Sequence, residues 1–280
     1  MKKAFNSESG KTAVTSYYNM LLEHLTIPYE RINVHTRYGN TFALSAGDTQ
    51  KPTVILLHGS SMSSAMWLDD IMAFAPHYHV IAPDIPGEPG QSDENQLPLD
   101  SNDYAEWLLD VLNVLNIKDT YLVGNSLGGW LALRFSTLYP ERVKKLVLLA
   151  PAGIGSQNPA FGLLAMELLP KGESGINELL IQLNGGMPIP EIRLNYQKLI
   201  MSVFNVRQEV IPVLSDEELK RLSMPCLIFV GNNDVILKSD ETAARALKKI
   251  PQCQVVELPE KGHSLVGMSE EILIFIRDIS

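Results

Sequence analysis

The run YLVGNSLGGWLAL, Tyr121 to Leu133, places Ser126 in G-N-S-L-G, an instance of G-x-S-x-G. A strand-like apolar stretch precedes the serine and a helix-like one follows it. Small neighbours on both sides let the chain bend sharply there without a clash. The bend lifts the hydroxyl clear of the sheet edge and sets it at a helix N-terminus, where unbonded N–H groups favour developing negative charge. The chemistry this prepares is nucleophilic attack. A glycine-rich turn with an incidental serine shows the same five letters; the strand before and the helix after favour the catalytic reading.

A serine hydroxyl is a poor nucleophile and needs a base. The chain has six histidines. His24 and His35 fall in an N-terminal helix and hairpin, His77 and His79 at the entry to a strand, and His58 at the end of a buried one. His263, in PEKGHSL, lies in a short loop after the last strand, at the C-terminal edge of a sheet, where catalytic groups of open α/β sheets collect. A base of this kind needs a carboxylate to hold its tautomer and stabilise the imidazolium. Asp234, in FVGNNDVIL, follows a strand at the same edge, although NND is also good turn chemistry. The order Ser126, Asp234, His263 is one known for a triad on an α/β scaffold.

Acyl transfer also needs donors for the oxyanion. The N–H of Leu127, next after the nucleophile, is one candidate. The other is Ser60, directly after His58-Gly59 at the end of PTVILLHG. The hydroxyls of Ser61, Ser63 and Ser64 either assist there or cap the next helix.

Elements able to position these residues are legible along the chain. TAVTSYYNMLLEHL, Thr12 to Leu25, has helical spacing, and YERINVHT and TFALSA flank the glycine turn RYGN as a hairpin. Then strands (PTVILLHG, YHVIAPD, TYLVGN, VKKLVLLAP) alternate with helices (SSAMWLDDIMAFA, SNDYAEWLLDVLNVLNI, SLGGWLALRFSTLYP). Ser101 or Asn102 is placed to cap the second of these helices. After an interruption from 151 to 223, the alternation resumes with MPCLIFVGNND, KSDETAARALKKI, CQVVELPEKGH and SEEILIFIRDI. Such alternation implies βαβ units and a mostly parallel central sheet flanked by helices. The interruption is too long and apolar for a bare loop and reads as a helical cap insertion. The expected organisation is a helical extension over 1–28, a core over 29–150 and 224–280, and a cap over 151–223.

The chain has 280 residues, 45% of them hydrophobic, and a formal charge of −9. That length supports a sizeable core, and no basic stripe suggests a nucleic-acid partner. Cys226 and Cys253 make neither a disulfide framework nor a zinc pattern and read as small core residues. The start, MKKAFNSESGK, is positive but lacks an apolar stretch behind it, and no run of about 18 apolar residues occurs. The expectation is a soluble cytoplasmic protein with no membrane partner. Oligomeric state is not legible.

The LLHG turn, GNSLGG, GNND and the Gly262-His263 pair together resemble the α/β-hydrolase fold family in its small bacterial carboxylesterase branch, over nearly the whole chain from Tyr29 onward. HGSSMSSAMW and DIPGEPGQSD, with the N-terminal helix, are similar to bacillus-type carboxylesterases that cleave esters of bulky aryl carboxylic acids. The resemblance implies a nucleophile at Ser126, a base at His263, an acid at Asp234, oxyanion N–H groups at Ser60 and Leu127, a small-molecule ester substrate and no cofactor or metal. One departure stands out. Many members carry D-x-x-G-x-G-x-S after the fourth strand, whereas DIPGEPGQS, Asp84 to Ser92, is one residue longer.

A serine nucleophile argues against the dehalogenases and epoxide hydrolases of this fold, which use an aspartate. Carbon–carbon bond hydrolases of ring-fission-type dienones often show GNSMGG, close to GNSLGG, but tend to carry S-G-P-G where this chain has SSMSS. They are the runner-up to an ester hydrolase. A non-catalytic or signalling member of the fold is the remaining alternative. Phe161, Leu163, Leu164, Met166, Met187, Met201 and Phe204 are the cap residues that suit an apolar substrate pocket, Met being adaptable to irregular ligands. Packing of the cap onto the core is the competing role for most of them. Trp67 and Trp130 read as core.

Overall fold

The structure, a computed structural model, describes residues 4–207 and 209–277. The basic Lys2-Lys3 start and the last residues of the final expected helix, Asp278 and Ile279, lie outside the described residues.

Eight strands form one sheet: β1 (Tyr29–Thr36), β2 (Gly39–Ala46), β3 (Thr53–Leu57), β4 (His79–Pro83), β5 (Thr120–Asn125), β6 (Val143–Leu149), β7 (Cys226–Gly231) and β8 (Cys253–Leu258). Their spatial order is β1-β2-β4-β3-β5-β6-β7-β8. β2 runs antiparallel to β1 and β4, and every other pairing is parallel. Ten α-helices are described: α1 (Glu8–Leu22), α2 (Leu68–Phe74), α3 (Asp103–Val114), α4 (Leu127–Leu138), α5 (Pro159–Leu168), α6 (Glu173–Leu183), α7 (Glu191–Val203), α8 (Asp216–Lys220), α9 (Ser239–Lys249) and α10 (Ser269–Arg277).

The continuous apolar strands are those buried on both faces. Side chains alternate across the sheet, so Ile55, Leu57, Leu122, Leu146 and Leu148 join one core layer with Trp107 of α3 and Leu131 of α4. Val54, Leu56, Val123, Val147 and Leu149 join the opposite layer with Tyr18 of α1, Phe74 of α2 and Ile276 of α10. Trp67 and Trp130 are fully buried, as expected. Cys226 is buried too, but Cys253 is only partly so, because β8 is an edge strand with one face open to solvent.

Two helix boundaries differ from the pattern reading. The first helix begins at Glu8 rather than Thr12, because Ser7 accepts the Gly10 N–H at 3.1 Å and caps it. SSAMWLDDIMAFA is not one helix: Ser64–Trp67 form a tight 3₁₀ turn before α2. At α3, Asn102 holds the cap position without a side-chain capping bond, its Oδ1 accepting from Arg134 at 2.8 Å, and Ser101 Oγ accepts the Asp103 N–H instead.

The 151–223 stretch carries α5 to α8. α8 lies against α4 and α9: Glu218 pairs with Arg134, and Asp216 with Arg245 and Lys249. α6 and α7 reach the loops at the C-terminal ends of the strands. The Ser264 N–H donates to Leu183 O at 3.0 Å, and the Tyr196 hydroxyl lies 3.1 Å from Ser63 Oγ. α1 braces α7 from outside. Tyr17 stacks on Tyr196 at 5.4 Å, Phe5 meets Phe204 edge-on at 5.8 Å, and the Asn6 N–H donates to Val203 O at 2.9 Å.

Candidate active site

Ser126 sits between β5 and α4 with φ +49°, the left-handed region that a non-glycine residue occupies at a cost in strain. The strain is held by bonds on both sides: the Ser126 N–H donates to Leu149 O at 3.0 Å, and Ser126 O accepts from Trp130 N–H at 3.0 Å. The glycines around it serve close approach rather than the turn itself. A Cβ on Gly128 would lie 2.3 Å from Leu57 O, and one on Gly124 would lie 2.4 Å from Gly128 O. Only bare backbone lets α4 press this tightly on the ends of β3 and β5.

His263 and Asp234 are carried by the loops after β8 and β7. His263 Nε2 lies 2.9 Å from Ser126 Oγ, and its Nδ1 lies 2.7 Å from Asp234 Oδ2. The other carboxylate oxygen, Asp234 Oδ1, accepts the N–H groups of Ile236 at 2.7 Å and Leu237 at 2.9 Å. Both oxygens therefore have assigned partners, and the carboxylate cannot rotate without breaking three bonds. With Asp234 ionised, Nδ1 carries the proton and Nε2 presents a lone pair to the serine, the tautomer a general base requires. Ser126 and His263 are buried, each 9% exposed, and the Asp234 side chain is 1% exposed.

Leu127 opens α4, so its N–H belongs to the first turn, which has no helical carbonyl to meet. The loop after β3 closes on the other side of the serine. A Cβ on Gly59 would lie 2.7 Å from Asn125 Oδ1 and 3.5 Å from Ser126 Cβ, which brings the Gly59–Ser60 peptide beside Ser126.

His58, read from sequence as the end of a buried strand, shapes this loop. Its Nε2 accepts the Ile85 N–H at 2.8 Å, so its Nδ1 carries the proton and donates to Gly59 O, also at 2.8 Å. Burial pushes its pKa down to about 4, which keeps it neutral. Two buried carboxylates hold the same loop from the Asp84–Ser92 segment. Asp84 Oδ1 accepts the Ser64 N–H and Glu88 Oε2 the Ser61 N–H, both at 2.7 Å.

Burial pushes Glu88 up from 4.5 to about 7 and Asp84 up from 3.8 to about 6, and their hydrogen bonds only partly offset it. A carboxyl raised on folding contributes stability that is complete below its unfolded pKa and is lost as pH rises through its folded one. Glu88→Gln cannot ionise, so its melting temperature relative to the wild type is expected to be higher at pH 8 than at pH 5. An equal gap at both values, read by thermal denaturation, would contradict the shift.

The expected pocket residues divide. Phe204 is buried against Phe5 and is accounted for by packing, because the N-terminal segment covers it. Met166 and Met187 face solvent at 75% and 50% exposure, since only Leu168 of α5 is buried and Met187 lies in the turn after α6. Leu163 is also exposed, and Phe161, Leu164 and Met201 are half-buried. An open depression of about 520 Å³, lined by Glu30, Lys51, His79 and Asp119 among others, lies at the opposite, N-terminal end of the parallel strands, away from Ser126. Among the described residues, no helix is long and apolar enough to cross a membrane.

The comparisons with known proteins agree with this fold. The chain is 29% identical over 258 residues to the "Uncharacterized carboxylesterase nap" of Bacillus subtilis (strain 168), spanning 89% of this chain and 85% of that one. Its fold is similar to the crystal structure of naproxen esterase (carboxylesterase NP) from Bacillus subtilis, with a TM-score of 0.86, 26% identity, and coverage of 97% of this chain and 100% of that one. It is less similar to the 2-hydroxy-6-oxo-6-phenylhexa-2,4-dienoate hydrolase of Rhodococcus sp. strain RHA1, with a TM-score of 0.73, 25% identity, and coverage of 90% and 100%. Residues 54–273 match the model of the Alpha/beta hydrolase family. With that match spanning most of its length and the sheet arranged as described, the chain belongs to the alpha/beta hydrolase family.

Proposed function

We propose that this protein is a carboxylic ester hydrolase acting through an acyl-enzyme on Ser126. The observation that carries the reading is the unbroken relay Ser126 Oγ, His263 Nε2, His263 Nδ1, Asp234 Oδ2, with its two contacts at 2.9 and 2.7 Å. His263 takes the serine proton as Oγ attacks the ester carbonyl. The N–H groups of Ser60 and Leu127 receive the oxyanion. The tetrahedral intermediate collapses, and the alcohol leaves with the proton from His263. Water then repeats the cycle on the acyl-enzyme, returning Ser126 and releasing the acid.

The likeness to a naproxen esterase supports a bulky aryl carboxylic ester as the substrate class. The cap over 151–223 sets the choice, with Phe161, Leu164 and Met201 as the half-buried apolar side chains available to it. The test is a panel of p-nitrophenyl esters of increasing acyl size, assayed with and without a serine-directed fluorophosphonate. Turnover is expected, abolished by labelling, with the label on Ser126. A panel with no turnover and no label on Ser126 would leave a non-catalytic member of the fold. Faster cleavage of a ring-fission dienone than of any ester would make the protein a carbon–carbon bond hydrolase.

A further inference from the structure

The segment Asp84–Ser92 departs from the common family pattern by one residue and carries a glutamate between a glycine and a proline. Such a position reads as a solvated turn, yet Glu88 is 2% exposed. Its Oε2 accepts the Ser61 N–H at 2.7 Å, and its Oε1 is buried with no hydrogen-bond partner among the described residues. Among the described residues, the cation acting on it electrostatically is Arg207, whose guanidinium bonds instead to Leu97 O, Glu209 and the Tyr104 hydroxyl. A half-satisfied buried carboxylate opposes folding. Its position therefore calls for a return elsewhere.

The group it holds suggests where. Ser61 has φ +56°, a strained conformation for a residue with a side chain. The Ser61 N–H belongs to the peptide that leaves Ser60, and the peptide entering Ser60 is the one beside Ser126. That entering peptide is fixed at its other end, where His58 Nδ1–H donates to Gly59 O. Ser60 is thus clamped on both sides, by a neutral imidazole before it and a carboxylate after it. Glu88 is itself anchored, its N–H donating to Ile85 O at 3.1 Å and its carbonyl accepting Gly90 N–H at 2.7 Å.

Resting on the ester-hydrolase reading, we propose that Glu88 is a positioning residue: it holds the Ser60–Ser61 peptide so that the Ser60 N–H points at the oxyanion. It touches no reacting atom. Its contribution is realised in the transition state, where the oxyanion is fully formed, and hardly at all in the ground state.

Two substitutions separate this from a purely structural role. Glu88→Asp keeps the charge and loses the reach to Ser61. Glu88→Gln loses the charge and keeps an acceptor within reach. Losing one oxyanion donor outright costs about 10²–10³ in kcat, so a misaimed one should cost about 10- to 100-fold. On p-nitrophenyl butyrate, Glu88→Asp is expected to lose that much kcat with KM within about threefold. Its affinity for a trifluoromethyl ketone, which forms a tetrahedral adduct on serine, should fall by the same factor as kcat/KM. Glu88→Gln should restore kcat to within about fivefold of the wild type. Folded Glu88→Asp with wild-type kcat would overturn the proposal, and so would a loss shared equally by both variants with ketone affinity unchanged. A wild type with no turnover and no label on Ser126 would overturn the hydrolase reading and this inference together.

Discussion

Ser126→Ala is expected to lower kcat on p-nitrophenyl esters by about 10⁶-fold. Without Oγ there is no acyl-enzyme, and the only remaining route is direct attack by water on an ester held beside the Ser60 and Leu127 N–H groups. On the proposed mechanism Ser126 and His263 act as one unit across their 2.9 Å contact, so His263→Ala should cost a similar factor, and the double variant little more than either alone. The fold should tolerate the serine change, since the backbone bonds to Leu149 and Trp130 that hold the turn do not involve the side chain. Stopped-time assays at high enzyme concentration, with circular dichroism as the check on folding, measure this. A Ser126→Ala protein retaining more than about a hundredth of wild-type turnover would place the nucleophile elsewhere.

Asp234→Asn should lower kcat by about 10⁴-fold, and the loss follows from the partners of its two oxygens. Oδ1 accepts two backbone N–H groups and Oδ2 faces His263 Nδ1. An asparagine that keeps its oxygen on Ile236 and Leu237 must turn its amide N–H toward Nδ1. Nδ1 then becomes the acceptor, the ring proton moves to Nε2, and the nitrogen facing Ser126 can no longer take a proton. The opposite amide flip would set two backbone donors against an NH₂ group, which a buried loop does not accommodate. KM should change little, and activity should recover in part as rising pH makes hydroxide available as an alternative base. Retention of more than about a tenth of wild-type kcat would remove Asp234 from the relay.

Sequence was informative where structure is local. The Ser126 turn is written within five letters because the bend, the bare backbone of Gly124 and Gly128, and the helix start all fall within one stretch. Asp234 and His263 were visible for a topological reason: each follows a parallel strand at the same edge. Glu88 was not visible. A charge in a Gly-Pro turn ordinarily meets water, and its partner lies 27 positions earlier in the chain. His58 was dismissed for a similar reason, since its bond to Ile85 is made only when two loops meet. The orientation of the apolar residues over 151–223 was not legible. Residue type marks Met166 and Met187 as apolar, but little in a short, mostly apolar helix such as α5 says which side will be covered. Cys253 was over-read, because sheet order, not composition, decides which strand stands at the rim.

The contact between Ser126 and His263 joins residues 137 positions apart, and the two sit on segments separated in the sheet by β6 and β7. A fragment that lacks either residue therefore lacks one end of that contact. On the proposed mechanism, a chain released before β8 would carry Ser126 without the His263 imidazole that takes its proton. By the same mechanism, turnover during refolding is expected only once the segments carrying Ser126, Asp234 and His263 have all met, so a chromogenic ester would report the completed tertiary fold rather than its parts.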